Sequence, residues 1–120
     1  MDNHIVLVGK MARDPELRHV GATSTPTVRF TLTVYRSWMN KQTREKKDEI
    51  AHYEVVAFGD LAVNLCESTQ RDDTIIVTGK LAQRVFDNNG HPLTVIEVLA
   101  QHIGIDLLSQ SVPLDEESVV

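Results

Sequence analysis

Two segments of the chain alternate between apolar and polar side chains with the period of a β-strand. Residues 27–34 (TVRFTLTV) place four apolar side chains on one face and polar ones on the other. Residues 50–58 (IAHYEVVAF) repeat the pattern, and Phe58 falls on the face that also carries His52 and Glu54. Both segments are therefore predicted to be strands, with Phe58 among polar neighbours.

Two further segments precede and follow this pair. Residues 4–10 (HIVLVGK) are a short apolar run with β-branched side chains, which predicts a first strand that bulges or bends at Gly9. Residues 59–69 change period, because their apolar side chains recur at helical spacing. We expect a short helix there, with Asp60 as its N-cap.

The second half of the chain returns to strands. Residues 74–86 alternate again, residues 87–90 (DNNG) have the composition of a hairpin turn, and residues 93–105 predict a last strand. Five strands with one short helix between the third and the fourth predict an all-β, five-stranded barrel of the OB-fold type rather than a seven-stranded sandwich. We expect this domain to span residues 1–107, followed by a short, acidic and flexible tail at 108–120.

The net charge of −5 would argue against a polyanionic partner, but the charges are unevenly distributed. Residues 1–105 carry 12 basic and 13 acidic side chains, so the last fifteen residues account for most of the excess. Residues 36–47 hold five basic side chains and one acid. A charge run of this kind alone would be read as a solvated loop.

The sequence contains no recognisable catalytic signature. Two Gly-Lys pairs lack the glycine spacing of a phosphate-binding loop, and the five histidines include no i, i+4 pair. Cys66, the single cysteine, fits a small core residue better than a nucleophile. We therefore expect no catalytic residue, no metal and no cofactor.

No apolar run approaches the roughly 18 residues of a membrane span, so an unexported protein outside the membrane is expected.

Three aromatic residues stand near cations: Trp38 beside Arg36, Phe58 on a polar strand face, and Phe86 after Arg84. Rings of this kind cover the faces of unstacked bases at about 1–3 kcal/mol each, while neighbouring cations neutralise phosphates. Each ring alone is more simply explained as packing at the edge of the core. Together they favour a surface that binds single-stranded nucleic acid.

Three segments strengthen that interpretation: residues 13–18 (RDPELR), 55–62 (VVAFGDLA) and 77–84 (VTGKLAQR). In order and spacing they resemble the bacterial single-stranded DNA-binding protein family, from Met1 to about Leu107. The resemblance implies an OB-fold and a homotetramer or related oligomer. It also implies a protein without enzymatic activity that binds single-stranded DNA in replication, recombination and repair.

The resemblance also implies roles for single residues. Trp38, Phe58 and Phe86 match the family's base-stacking positions, with Phe86 in place of a tryptophan, and Arg84 matches a basic residue beside that last ring. His52 stands where typical members have a further tryptophan, and we keep it as a candidate DNA contact.

Other positions depart from the family's pattern. Asp60 replaces a usual lysine, and Tyr53 replaces a histidine that often supports subunit contacts. Typical members also end in a long linker and an acidic tip that recruits replication and repair proteins. Residues 114–120 (LDEESVV) are acidic but short. We therefore expect weaker or more salt-sensitive binding and a short-tailed, secondary member of the family, with recruitment of those proteins left open.

The sequence thus predicts a cytoplasmic, nucleoid-associated protein that binds single-stranded DNA without strong sequence preference. Eight cations are expected to contact phosphates: Arg29, Arg36, Lys41, Arg44, Lys46, Lys47, Lys80 and Arg84. Two alternatives remain open. One is an OB-fold module that mainly docks onto another protein, and the other is RNA as the ligand, because stacking alone does not distinguish it from DNA.

Overall fold

The computed structural model describes residues 2–114. Within this range the chain forms six strands and one helix, in the order β1 (Ile5–Met11), β2 (Arg18–Val20), β3 (Thr25–Met39), β4 (Lys46–Phe58), α1 (Asp60–Ser68), β5 (Thr74–Asn88) and β6 (His91–Ile105). None of the described residues belongs to a helix long and apolar enough to cross a membrane.

Five of these strands close into a barrel in the order β1-β5-β6-β4-β3. β1 completes the circle by pairing with β3 through Lys10–Thr33 and Met11–Leu32, and β4 meets β6 in parallel at Val55–Val98. The predicted five-stranded barrel, with one helix between its third and fourth strands, is confirmed. The three-residue β2 is an addition: it pairs with the beginning of β3 and is fully exposed, so it carries no pattern to detect.

The alternating apolar positions supply the barrel core. Val28, Leu32, Val55, Ile75 and Val77 are almost completely buried. Burial of each such side chain contributes about 1.5–3 kcal/mol, which fixes which face of each strand points inward. The helix α1 packs its apolar side against this core, including the partly buried Cys66. Burial, together with the charge of Glu67, raises the pKa of the Cys66 thiol.

Of the two alternatives expected at Gly9, a bulge or a bend, the bulge is wrong. Gly9 lies inside β1 and pairs regularly with Ile75. The glycine is needed because β1 leaves β5 for β3 at this point, and a Cβ would lie 2.6 Å from the carbonyl oxygen of Thr33. The ladder instead shifts register at Thr78 and Gly79, between β5 and β6.

The helix begins one residue differently from the prediction. Gly59, with φ of 68°, is the N-cap, so no side-chain hydrogen bond caps the helix. Gly59 donates its backbone N–H to the carbonyl oxygen of Pro26, so the chain turns sharply at the end of β4 and only a glycine adopts that left-handed backbone easily. Asp60 is therefore the first helical residue, where its negative charge suits the helix dipole.

The expected boundary near residue 107 stays a prediction. β6 ends at Ile105, and Ser109 donates its backbone N–H to Asp106 in a turn that follows. Residues 115–120 of the expected acidic tail, which include its three acidic side chains, lie outside the described residues.

Candidate nucleic-acid interface

The outer face of the barrel brings together side chains from three strands. Arg29 of β3 lies opposite Val56 of β4, and Phe58 is two residues further along β4. The side chains of Arg29 and Phe58 therefore lie on the same face of the sheet and point away from the core. β6 joins this face at Val56–Leu99, and Lys80 of β5 lies opposite Leu99. The structure thus places Phe58, Arg29 and Lys80 on one continuous surface, which we call the outer face.

Residues 35–50, which include the expected basic loop at 36–47, are mostly strand. β3 and β4 remain paired as far as Met39–Lys46, and only residues 40–45 form the turn. Every residue from 35 to 50 is exposed, so this hairpin, the first arm, stands clear of the barrel. A ribbon exposed on both faces needs no apolar alternation, which explains why the charge run hid the strands.

Trp38 lies on the first arm beside Arg36. The tryptophan side chain is 39% exposed, and the guanidinium carbon of Arg36 is 4.6 Å from the ring centroid. This is a cation–π contact. By register, however, Trp38 shares the ribbon face of Val34 rather than that of Phe58. The three predicted rings therefore do not all lie on one face.

The other cations of the first arm surround its turn. Lys41 and Arg44 lie in the turn, while Lys46 and Lys47 begin β4. Asn40 accepts hydrogen bonds from the backbone of residues 42 and 43 through its side-chain oxygen, which fixes the turn. Lys47 is 3.9 Å from Glu45, but this exposed pair is worth about 1 kcal/mol at most.

The hairpin of β5 and β6 extends the outer face beyond the barrel. Residues 83–94, the second arm, are all exposed. Arg84 and Phe86 follow Lys80 on alternate positions of β5, and the guanidinium carbon of Arg84 is 5.3 Å from the centroid of the Phe86 ring. Phe86 is 38% exposed and Phe58 is 48% exposed. Both phenyl rings are thus available to a ligand on this surface.

The predicted turn at the tip of the second arm is confirmed. Asn89 and Gly90 both have positive φ, 52° and 84°, as a two-residue type I′ hairpin requires. Asp87 accepts a hydrogen bond from the backbone N–H of Gly90 at 2.8 Å. β5 continues to Asn88, so Phe86 lies on a paired strand three residues before the turn.

Two of the predicted phosphate-binding cations share one acid. The Glu97 carboxylate accepts a 2.6 Å hydrogen bond from Arg29 and lies 3.8 Å from the Arg84 guanidinium. The glutamate side chain is only 8% exposed. Sequence reasoning missed this cluster because Arg29 and Glu97 are 68 residues apart and meet only where β6 completes the barrel.

His52 and Tyr35 lie on the same ribbon face as Phe58. His52 is exposed, and its ring nitrogen is 3.2 Å from the hydroxyl of Thr33. The Tyr35 hydroxyl donates a 2.9 Å hydrogen bond to Asp48, and this bond raises the pKa of Tyr35. Sequence reasoning did not select Tyr35, although its position continues the polar face of β3.

An open cavity of about 520 Å³ adjoins the outer face. Arg13, Arg18 and Arg29 line it, together with Thr31 and Glu54. Arg13 and Arg18 were not among the predicted cations. The sequence did carry a signal, because they bracket the RDPELR segment that we used only for the resemblance.

A comparison with protein families bears directly on this surface. The model of the single-strand binding protein family matches residues 2–106. The chain belongs to this family. Relatives include single-stranded DNA-binding proteins of Streptococcus pneumoniae, 35% identical over 103 residues, and of Mycobacterium leprae, 35% identical over 108 residues. These alignments cover 85% and 88% of this chain, and the chain spans 64% of the length of both relatives.

Solved structures of single-strand binding proteins share the fold. The small single-stranded DNA-binding protein from Streptomyces coelicolor is 29% identical, with a TM-score of 0.72, over 91% of this chain and 98% of that one. A deletion variant of the protein from Thermus aquaticus has a TM-score of 0.75 over 86% of this chain and 49% of that one. At 17% identity, the second likeness supports the fold alone.

Proposed function

We propose that this protein binds single-stranded DNA without strong sequence preference and protects it in replication, recombination and repair. The observation that carries the proposal is a repeated geometry. On each of two exposed arms an arginine lies over an aromatic ring, Arg36 over Trp38 and Arg84 over Phe86. A partly exposed ring offers a platform for a base, and the arginine beside it offers a charge for the adjoining phosphate.

Single strands suit this surface better than a duplex. Trp38, Phe58 and Phe86 present ring surface to solvent, and such rings contribute by stacking on the faces of bases, which a duplex conceals. Every base has such a face, so contacts of this kind tolerate any sequence. His52 and Tyr35 add polar contacts on the ribbon face of Phe58.

Phosphate neutralisation supplies the rest of the affinity. Lys41, Arg44, Lys46 and Lys47 gather around the turn of the first arm, while Lys80, Arg29 and Arg84 lie on the outer face. Each phosphate neutralised on a single strand releases counterions, which gives log K a slope of about −0.7 against log salt. Binding should therefore weaken steadily as salt rises.

The proposal extends to assembly and place of action. Val6 and Val8 leave exposed apolar side chains on the outer side of β1, which supports self-association, as a homotetramer. We place the protein in the cytoplasm, at the nucleoid, acting by binding and without turnover. We also propose replication and repair proteins as partners, recruited through the segment that follows residue 107.

A gel-shift assay with single- and double-stranded DNA of equal length, run across a salt series, tests this function. We expect the single strand to shift at low salt, the shift to fade as salt rises, and the duplex to bind far more weakly. Equal binding of both forms, or none of the single strand at low salt, would contradict the proposal. Competition between matched oligo-dT and oligo-U then distinguishes DNA from RNA as the preferred ligand.

A further inference from the structure

We propose that Glu97 is a positioning residue that sets the electrostatic strength of the outer face. It holds the guanidinium groups of Arg29 and Arg84 in place and cancels one of their two charges. This inference rests on the proposed function, because the charge it adjusts is the charge offered to phosphates of single-stranded DNA.

Glu97 is much more buried than its two arginine partners. The Glu97 side chain is 8% exposed, whereas those of Arg29 and Arg84 are 42% and 46% exposed. Glu97 lies opposite Ala82 in the β5–β6 ladder. These exposures show that the carboxylate is covered, while both arginines keep one side open to solvent and to a ligand.

Energetics explain why the arginines are held. A buried carboxylate without a partner is strongly unfavourable, and an arginine within hydrogen-bond distance removes much of that cost. The 2.6 Å bond from Arg29 is short, as charge-assisted bonds are. Because the carboxylate is covered, Arg29 stays hydrogen-bonded to it before any ligand arrives, and Arg84 stays within ion-pair distance at 3.8 Å.

The effect extends to the second arm. Arg84 is held near Glu97 at one side and lies over the ring of Phe86 at the other. Glu97 therefore fixes the arginine that accompanies this stacking ring. A strand passing over the outer face would meet two prearranged guanidinium groups with a combined charge of +1 rather than +2.

The substitution Glu97→Gln tests this directly, because glutamine keeps the size and removes the charge. Measured with oligo-dT across a salt series, the variant should bind severalfold more tightly at low salt, and its log–log salt slope should steepen by about 0.7. Glu54→Gln is the matched control. Glu54 lies on the same side of β4 as Phe58, but it accepts a hydrogen bond from Thr31 and none from an arginine. We therefore expect a clearly smaller change in affinity and in salt slope.

A second variant covers the case in which a buried glutamine destabilises the fold. Arg29→Met with Glu97→Met replaces the ion pair with apolar side chains, which at the covered position of Glu97 removes the cost of burying a charge. In Arg29→Met alone, Glu97 cancels the charge of Arg84, so the double variant should have a salt slope steeper than that of Arg29→Met by about 0.7. Counting cations without regard to Glu97 predicts the same slope for these two variants.

The outcomes separate the two proposals. If the wild type fails to bind oligo-dT at low salt, the proposed function falls and this inference falls with it. If the wild type binds, an unchanged or shallower slope in Glu97→Gln overturns the role of Glu97 alone. A change as large in Glu54→Gln, or equal slopes in Arg29→Met and in the double variant, also overturns it.

Discussion

The first arm and the second arm both hold an arginine over a ring, but they differ in how that arginine is compensated. Among residues 2–114, Arg36 has no acidic partner within ion-pair distance, whereas Arg84 shares Glu97 with Arg29. Residues 35–50 contain five basic and three acidic side chains, a net charge of +2, while residues 83–94 contain one of each. The arginine of the first arm, which lies opposite Glu49 in the ladder, thus makes no ion pair among residues 2–114, whereas the arginine of the second arm lies in an ion pair with Glu97.

The turns at the tips of the two arms also differ in charge and in width. The first arm ends in a wide turn at residues 40–45 that exposes Lys41 and Arg44, and the second ends in the tight turn at Asn89 and Gly90. We propose that the first arm contributes to DNA binding mainly by charge and by its larger ring. In this proposal the second arm contributes mainly by holding a smaller ring and its arginine in place.

The largest effect should come from disturbing the barrel just below the second arm. A Cβ at Gly79 would overlap the backbone carbonyl of Leu99, and backbone atoms cannot move aside as a flexible side chain can. Gly79→Ala should lower the free energy of unfolding by about 3 kcal/mol in a urea titration. Gly104→Ala, where a Cβ meets no atom within 4 Å, is the control and should change it by about 0.5 kcal/mol or less. Equal losses in both variants would show that the close approach is unimportant.

On the first arm, Trp38→Ala should weaken binding to poly-dT by about 1–3 kcal/mol, because it removes the largest stacking surface. That corresponds to about 5- to 150-fold in the dissociation constant. Leu108→Ala is the control, since Leu108 is an exposed apolar residue beyond the end of β6 and lies on neither arm. Unchanged affinity in Trp38→Ala would remove this residue from the interface.

On the second arm, Phe86→Ala should cost about 1 kcal/mol, the lower end of the stacking range, because a phenyl ring covers less of a base than an indole. Phe86→Trp should bind at least as tightly as the wild type. Val85→Ala, exposed on the opposite face of β5, provides the control in the same affinity assay. A loss from Phe86→Ala larger than that from Trp38→Ala would reverse our ranking of the arms.

The smallest effect concerns Tyr35, which has no counterpart on the second arm. Its pKa is raised by the hydrogen bond to Asp48, so Asp48→Asn should lower it towards the ordinary value of 10.0. Because the folded pKa is the higher one, any stabilisation from this bond is complete below the unfolded pKa and disappears as pH rises through the folded value. Ultraviolet titration of tyrosinate in a Tyr53→Phe background measures the shift, and an identical curve in Asp48→Asn would refute the assignment.

The sequence predicted those parts of the fold that depend on local pattern. Alternation in residues 27–34 identified a barrel strand because its two faces meet different environments, and Asn89-Gly90 identified a turn because its backbone geometry restricts residue choice. The strands of the first arm were hidden, since neither face is buried. Gly9 and Gly79 could not be interpreted without knowing which carbonyl approaches them.

The candidate site follows the same rule. Exposure of Trp38, Phe58 and Phe86 could be anticipated from charged or polar neighbours in sequence. The acid shared by Arg29 and Arg84 could not, because no local pattern links Glu97 to a residue 68 positions away. The structure therefore adds to the sequence prediction the long-range ion pairs of Glu97 with Arg29 and Arg84. These pairs lower the positive charge that we expect the outer face to offer to phosphates.

The most direct test of the account uses the single tryptophan of the chain, Trp38. Its fluorescence is titrated with oligo-dT and with a duplex of equal length, at low salt and again at increasing salt. Stacking on the first arm predicts quenching by oligo-dT that weakens as salt rises, and little response to the duplex. Fluorescence that oligo-dT leaves unchanged at low salt would contradict the account and favour a module that docks onto another protein.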